Sequence, residues 1–337
     1  MARGGSRRGS GPRGAKPPPR GGAPTSRGGT PNARGGKPPG RGDKTAPRRG
    51  HGGPLRTGAP AERAPARGAA RDEAPPTPRA RPSARRGLGG DQVEGRHAVR
   101  ELLVAGRRRV SELLVASDLD PAPIIDEIIQ VATDDRVTVR RISRSKLDAT
   151  ARTDAPQGVV AFAAPLEEDE LDDLASGRVR ATAAGDGPPF LLALDGLTDP
   201  GNLGAVLRSA SAAGVTGVVL PRHRAVHVTP TVAKAAAGAI EHLPMAVVGG
   251  LPAALARLRD QGTLTVGLDA EGGRSLWELA LTDVAVCLVL GSEGAGLSRL
   301  VRQRCDETMA IPMRGPLDSL NAATAGALAC FEIARRR

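Results

Sequence analysis

The chain has no tyrosine, one tryptophan and three phenylalanines in 337 residues. Phe162, Phe190, Trp277 and Phe331 are all of its aromatics. That scarcity argues against the aromatic base-stacking platforms of RNA-recognition-motif or OB type, and it predicts a core built from Leu, Val and Ala. Cysteine is equally sparse. Cys287, Cys305 and Cys330 include no Cys-x-x-Cys pair, which excludes a zinc ribbon and a disulfide framework and predicts no metal site. Cys287 and Cys330 sit in apolar runs and are predicted to be buried thiols. No run approaches the roughly 20 apolar residues a membrane-spanning helix needs, and the N-terminus has no apolar signal core. The expectation is a cytoplasmic protein without a membrane partner. Three nucleotide or hydrolase signatures are also missing. There is no Gly-x-x-x-x-Gly-Lys-Ser/Thr loop. Gly291, Gly294 and Gly296 have the wrong spacing for a dinucleotide fingerprint, and no Gly-x-Ser-x-Gly elbow ends a strand.

Positive charge is abundant but unevenly placed. Residues 1–90 hold 21 Lys/Arg against 4 Asp/Glu, a net of +17, while the rest hold 27 against 32, a net of −5. The sequence pI near 11.0 therefore belongs to the first segment. Residues 1–90 contain no aromatic residue and are dense in Gly, Pro, Arg and Ala. Such a stretch buries too little apolar surface to offset the entropy of ordering, so it is expected to be a disordered basic tail. Two readings of it stand: sequence-independent attraction to phosphate backbones, or a solubilising segment with no required role.

The composition changes abruptly at Asp91. Helical spacing over 97–104, a strand over 110–116, helical spacing over 121–131, an alternating strand over 137–142, a short helix opened by Ser143 and a strand over 158–163 predict a small α/β unit over 91–165. Residues 166–189, acidic and then small and polar, read as a loosely packed linker. From Phe190 onward, apolar runs over 190–194, 217–220, 245–248, 264–268, 284–290 and 308–311 alternate with helical patterns over 203–213, 229–239, 252–260 and 321–335. Continuous apolar strands between helices predict a parallel sheet covered on both faces, spanning 190–337.

Three of these runs end in tight turns bearing uncharged amide or hydroxyl side chains, the place where open α/β sheets bind ligands. The first is Leu194-Asp195-Gly196-Leu197-Thr198-Asp199-Pro200-Gly201-Asn202. Asn202 reads as a helix N-cap or as a site residue. Arg208 lies less than two turns into the following helix, where phosphate binding is natural, and it suits bidentate phosphate recognition. The second turn is Leu290-Gly291-Ser292-Glu293-Gly294-Ala295-Gly296. Glu293 is either an exposed loop charge or a group set among glycines that let another backbone or ligand approach closely. The third runs from Ile311-Pro312-Met313 to Asp318-Ser319-Leu320-Asn321. Ser319 or Asn321 reads as a cap, and the apolar Leu320 between them points to packing on a flat ligand. Candidates for a local basic patch are Arg96, Arg100 and Arg107-Arg108-Arg109, or Arg140-Arg141 with Arg144, and each reads equally well as a solvated face.

In this order and spacing the three segments resemble the motifs of the SpoU (TrmH-type) RNA 2′-O-ribose methyltransferases of the SPOUT superfamily. The stretch from Glu94 to Val99, with that from Gln157 to Ala161, is similar to the L30e-like substrate-binding domain of the RlmB-like branch. The resemblance covers about residues 91–335 and leaves the tail out. It implies a parallel α/β sheet with a C-terminal deep trefoil knot, a homodimer with its active site near the subunit interface, and S-adenosylmethionine as cofactor. It also implies cofactor contacts at Gly291, Ile311 and Leu320, and methyl transfer to a ribose 2′-hydroxyl of a guanosine in large-subunit (23S) ribosomal RNA. Arg208 takes the central catalytic role, with Asn202, Glu293, Ser319 and Asn321 orienting ribose, arginine and loops. A guanidinium with a pKa above about 12 is a poor base, so Arg208 is read as a phosphate anchor that also stabilises alkoxide charge. Alternatives are a transfer-RNA guanosine enzyme, an rRNA adenosine methyltransferase conferring antibiotic resistance, and a non-catalytic RNA-binding factor on the same fold.

Overall fold

The computed structural model describes residues 87–181, 185–223, 227–281 and 283–337. The disorder and phosphate attraction expected of the basic tail fall outside these residues for 1–86. Residues 87–90, assigned to the tail by composition, belong to the body instead. Leu88 is buried, its N–H donates to Leu166 O at 2.9 Å, and Gly89 bridges Val228 in parallel.

The first half carries a four-stranded sheet in the order β1-β4-β2-β3. Its elements are β1 (Gln92–Glu94), α1 (Arg96–Ala105), β2 (Val110–Ala116), α2 (Pro123–Asp134), β3 (Thr138–Ile142), α3 (Arg144–Thr150) and β4 (Val159–Ala163). The mixed pairing buries Leu113, Val115, Val159 and Ala161 against α1 and α2. β1 was not legible in sequence, because three residues are too short to show alternation. Its Glu94 is fully buried yet satisfied, accepting from Gln92 Nε2, the Arg152 and Thr153 amides and Thr153 Oγ1 at 2.5–3.1 Å.

The first part of the expected loose linker is packed instead. Its helix α4 (Leu171–Ala175) buries Leu171, Leu174 and Ala175, and a buried leucine contributes roughly 1.5–3 kcal/mol relative to exposure. Asp169 bridges Ala246 in parallel, and its amide donates to Met245 O at 2.8 Å. The acidic composition masked three apolar residues at helical spacing.

The second half is a seven-stranded parallel sheet. Its elements are β5 (Phe190–Asp195), α5 (Pro200–Ala212), β6 (Gly217–Pro221), α6 (Pro230–Ala235), β7 (Met245–Val248), α7 (Leu251–Asp260), β8 (Leu264–Leu268), β9 (Arg274–Ser275), β10 (Val286–Gly291), α8 (Arg299–Arg302), β11 (Glu307–Ala310) and α9 (Ala322–Arg336). The order is β7-β6-β5-β10-β8-β11-β9. β5 and β10 lie side by side near the centre and are apolar up to their last residues, Asp195 and Gly291, because helices cover both faces. Cys287 and Cys330 are buried, as predicted; Cys305 is half-buried, and burial raises its thiol to about 12.

Candidate functional site

The ends of β5, β8, β10 and β11 open toward one side, and α9 starts beside them. A cavity of about 250 Å³ lies there. Leu268, Leu290, Ile311 and Leu320 supply its apolar wall, and Ser292, Glu293, Asp318 and Ser319 supply polar groups. The second turn is closed by its own backbone: Ser292 N donates to Gly296 O at 3.1 Å and Gly296 N to Ser292 O at 3.0 Å. Gly291 is buried against this turn. A Cβ there would lie 2.2 Å from the Gly296 carbonyl carbon, so only glycine lets the strand end meet the loop.

Beside the cavity the three motif segments meet through side chains. Asn202 Nδ2 donates to Glu293 Oε1 at 2.8 Å. Asn321 Nδ2 donates to the same oxygen at 2.7 Å and to Asn202 Oδ1 at 3.0 Å. Asn321 also caps α9, its Oδ1 accepting from the Ala323 and Thr324 amides at 2.9 and 3.3 Å. One residue therefore both starts the helix and orients the cluster. Asn202 is not the cap it resembled. Asp199 caps α5, with Oδ1 accepting from the Asn202 amide at 2.7 Å, which leaves the Asn202 side chain free to reach Glu293.

Gly291, Glu293, Ile311, Ser319 and Leu320 thus line one cavity, and Asn202 and Asn321 are bonded to Glu293. Arg208 stands apart. It is exposed on α5 and, among the described residues, makes no hydrogen bond or ion pair. Six residues of helix place it about 9 Å along the axis and roughly 120° around from Asn202.

Sequence reasoning missed two parts of the site. Asp195, at the end of β5, accepts from the Ser298 amide at 2.7 Å and ties the turn after β10 to the neighbouring strand. The end of β8 contributes Leu268, Asp269 and Glu271 to the cavity, with Arg302 from α8 contacting Asp269 Oδ2 at 2.6 Å and Glu271 Oε2 at 3.0 Å. The signal was present, since the apolar run over 264–268 also ends in a polar, glycine-bearing turn.

Ion pairs neutralise four of the eight arginines proposed for a basic patch. Arg100 pairs with Glu101 and Glu127, Arg140 with Glu112 and Arg144 with Asp118, while Arg108 is buried against Glu241. Arg109 and Arg141 are exposed and, among the described residues, unpaired. Also among these residues, no group of His, Cys, Asp and Glu is arranged to hold a metal ion, and no helix is long and apolar enough to cross a membrane.

Profiles of two families match the chain. The SpoU rRNA methylase family matches residues 189–331, and the RNA 2′-O ribose methyltransferase substrate-binding family matches residues 92–169. A TrmH-family tRNA/rRNA methyltransferase of Staphylococcus saprophyticus is 39% identical over 246 residues, 73% of this chain and 95% of its own. The chain belongs to the SpoU/TrmH family of RNA methyltransferases. The fold is similar to that of the SpoU methyltransferase AviRb from Streptomyces viridochromogenes in complex with S-adenosylmethionine, with TM-score 0.59, 27% identity, and 73% of this chain and 89% of that one covered. It is likewise similar to a cofactor-bound rRNA methyltransferase from Sinorhizobium meliloti, with TM-score 0.58, 25% identity, and coverage of 73% and 86%. The chain is accordingly an S-adenosylmethionine-dependent RNA methyltransferase. The lining fits such a ligand: the aliphatic side chains of Leu268, Ile311 and Leu320 would suit a flat base, bare backbone lines the wall at Gly291, and the carboxylates of Glu293 and Asp318 would suit a cation.

Proposed function

We propose that the protein methylates the 2′-hydroxyl of a guanosine in 23S ribosomal RNA. The observation that carries this reading is the hydrogen-bonded set of Asn202, Glu293 and Asn321 at the edge of the cavity, with a substrate-binding domain of the 2′-O-ribose type on the same chain. S-adenosylmethionine, when bound, supplies an electrophilic methyl group on a sulfonium centre. Gly291, Ile311 and Leu320 hold it, largely through backbone groups and apolar contact. Asn202, Glu293, Ser319 and Asn321 orient the ribose, so that positioning supplies much of the rate. The exposed guanidinium of Arg208, away from this cluster, favours the phosphate-anchor role over direct contact with the alkoxide.

The chain path we infer for the C-terminal segment is a deep trefoil knot. The strand order supports it: β10 inserts between β5 and β8, β11 follows on the far side of β8, and the chain then returns to pack α9 against α5 and β10. The functional unit we infer is a homodimer in the cytoplasm. Leu328 and Phe331, three residues apart on α9, leave an apolar face 40% and 51% exposed. Residues 1–86, which hold all of the tail's net +17, would add attraction to RNA phosphate that a body of net −5 does not provide.

The test is transfer of a radiolabelled methyl group to purified 23S rRNA and to transfer RNA. A 2′-O-methyl group is then read as resistance of one phosphodiester to alkaline cleavage. Label confined to 23S rRNA at an alkali-resistant guanosine is the expected result. Label on a base, or on transfer RNA alone, overturns it.

A further inference from the structure

The substrate-binding half and the methyltransferase half meet around one guanidinium. Arg108, in the turn between α1 and β2, donates from Nε to Glu241 Oε2 at 2.9 Å and from Nη2 to Glu241 Oε1 at 2.5 Å. Its Nη1 donates to the carbonyls of Gly90 and Ala164 at 2.8 and 2.7 Å. The two side chains are 4% and 1% exposed. Arg107 Nη1 donates to the Glu241 carbonyl at 3.2 Å, and His242 Nε2 lies 2.9 Å from Glu101 Oε2 on α1. Backbone completes the seam, with Gly90 N donating to Val228 O at 2.7 Å and Val228 N to Leu88 O at 3.0 Å. Gly238, at φ 86°, permits the approach, since a Cβ there would lie 2.3 Å from that of Glu101.

A buried ion pair contributes little net stability compared with apolar residues of similar volume, because desolvation offsets its attraction. What the planar fork adds is direction, since two parallel bonds admit one relative orientation of the elements they join. A methyltransferase acting on folded RNA gains from that orientation. Its docking surface and its reacting site must keep one spacing, and an error of about 1 Å costs on the order of 100-fold in rate.

We propose that Arg108 and Glu241 form a positioning pair. It holds the substrate-binding half at a fixed spacing from the methyl-transfer cavity, and so selects RNA whose docking element and target ribose share that spacing. The proposal rests on the functional reading given above.

The full chain carrying Arg108→Met, Glu241→Gln, or Arg108→Met with Glu241→Met tests it. The double change removes both charges and leaves neither unpaired, and native far-ultraviolet circular dichroism checks that the chain stays folded. The expected result in all three is a KM for 23S rRNA at least tenfold higher. KM for a short oligonucleotide carrying only the target and its flanks should be unchanged, as should the cofactor Kd. Hydrogen exchange at the Gly90 and Val228 amides should accelerate at least tenfold while that at Leu288 in β10 holds. Equal losses on both RNAs, a native KM in the double variant, or unchanged exchange at the seam overturns the proposal. If the native protein methylates neither RNA, the functional reading fails, and exchange at the seam alone decides whether the pair clamps the halves.

Discussion

Asn202 and Glu293, 91 residues apart in sequence, share a hydrogen bond of 2.8 Å from Nδ2 to Oε1. The bond exists because Asp199 takes over the capping of α5, and because the turn after β10 is pinned by Asp195 to the strand from which α5 departs. Capping, strand order and loop closure each place one end of it. Glu293 Oε1 then accepts a second amide from Asn321, so a single carboxylate oxygen organises all three motif segments.

That geometry separates two roles of Glu293. Glu293→Gln keeps an oxygen able to accept both amides, whereas Glu293→Ala removes it. If orientation is what matters, the glutamine variant should retain kcat within about threefold and the alanine variant lose about 100-fold, the scale of lost positioning. Melting temperatures should barely change, because the residue is exposed. Equal loss in both variants would show that charge, not hydrogen bonding, is what Glu293 contributes.

Arg208→Ala should abolish methyl transfer while leaving the cofactor Kd within about twofold, since the side chain lines no part of the cavity. Arg208→Lys should recover only part of the activity, because a point charge does not reproduce the guanidinium fork. Isothermal titration with S-adenosylmethionine, set beside single-turnover rates, gives both readings. Loss of cofactor affinity in the alanine variant would sink the phosphate-anchor role.

Gly291→Ala tests the cofactor wall. The added methyl would meet the Gly296 backbone at 2.2 Å and push the turn after β10 away from the strand end. Cofactor affinity should fall at least 100-fold, and the rise in melting temperature that saturating S-adenosylmethionine gives the native protein should disappear, as mass action requires. A variant that keeps that thermal shift would place the ligand elsewhere.

The parts of the fold that were legible in sequence are those whose environment leaves a one-dimensional trace. β5, β10 and their neighbours are buried on both faces and read as unbroken apolar runs, and Leu251–Asp260 and Ala322–Arg336 show helical spacing. Strand order left no such trace, because parallel partners come from distant segments. Within Arg107-Arg108-Arg109 nothing local marks the middle residue as the one that turns inward, since its partner, Glu241, lies 133 positions away. In Asp199-Pro200-Gly201-Asn202 two good caps compete, and the choice depends on whether Glu293 is within reach of the loser. The three motif segments were nonetheless recognisable, through their resemblance to the family and because amide and hydroxyl side chains gathered at strand ends are types that packing alone would not select.

Glu332 gives the protein an acid-labile joint. The Arg335 and Arg336 guanidinia hold its carboxyl down at about 2, and Arg336 also donates to Leu279 O at 2.8 Å, tying α9 to the segment after β9. A carboxylate depressed in the folded state contributes stability that is fully present above its unfolded value, about 4.3. That contribution is lost as pH falls through the window from there down to about 2. The melting temperature should therefore decline through this window, and Glu332→Gln should flatten that part of the profile while lowering stability at neutral pH. An identical acid limb in the variant would assign the lability to other carboxylates.

If the proposed homodimer forms, the exposed face of α9 is where its subunits would meet. Leu328 and Phe331 stand one helical turn apart, and Thr324 and Arg335 continue the same exposed stripe at either end. An apolar pair rimmed by polar residues fits a contact surface better than a solvated one. In a two-fold dimer the same patch is used by both copies. Phe331→Glu would therefore bring two carboxylates to one interface, doubling the desolvation and adding like-charge repulsion. Sedimentation velocity should show the native protein as a dimer at micromolar concentration and the variant as a monomer, with dissociation favoured at least 100-fold. The variant should keep the native far-ultraviolet circular dichroism, since Phe331 is half in solvent within a single chain. A Phe331→Glu protein that still sediments as a dimer would move the interface off α9.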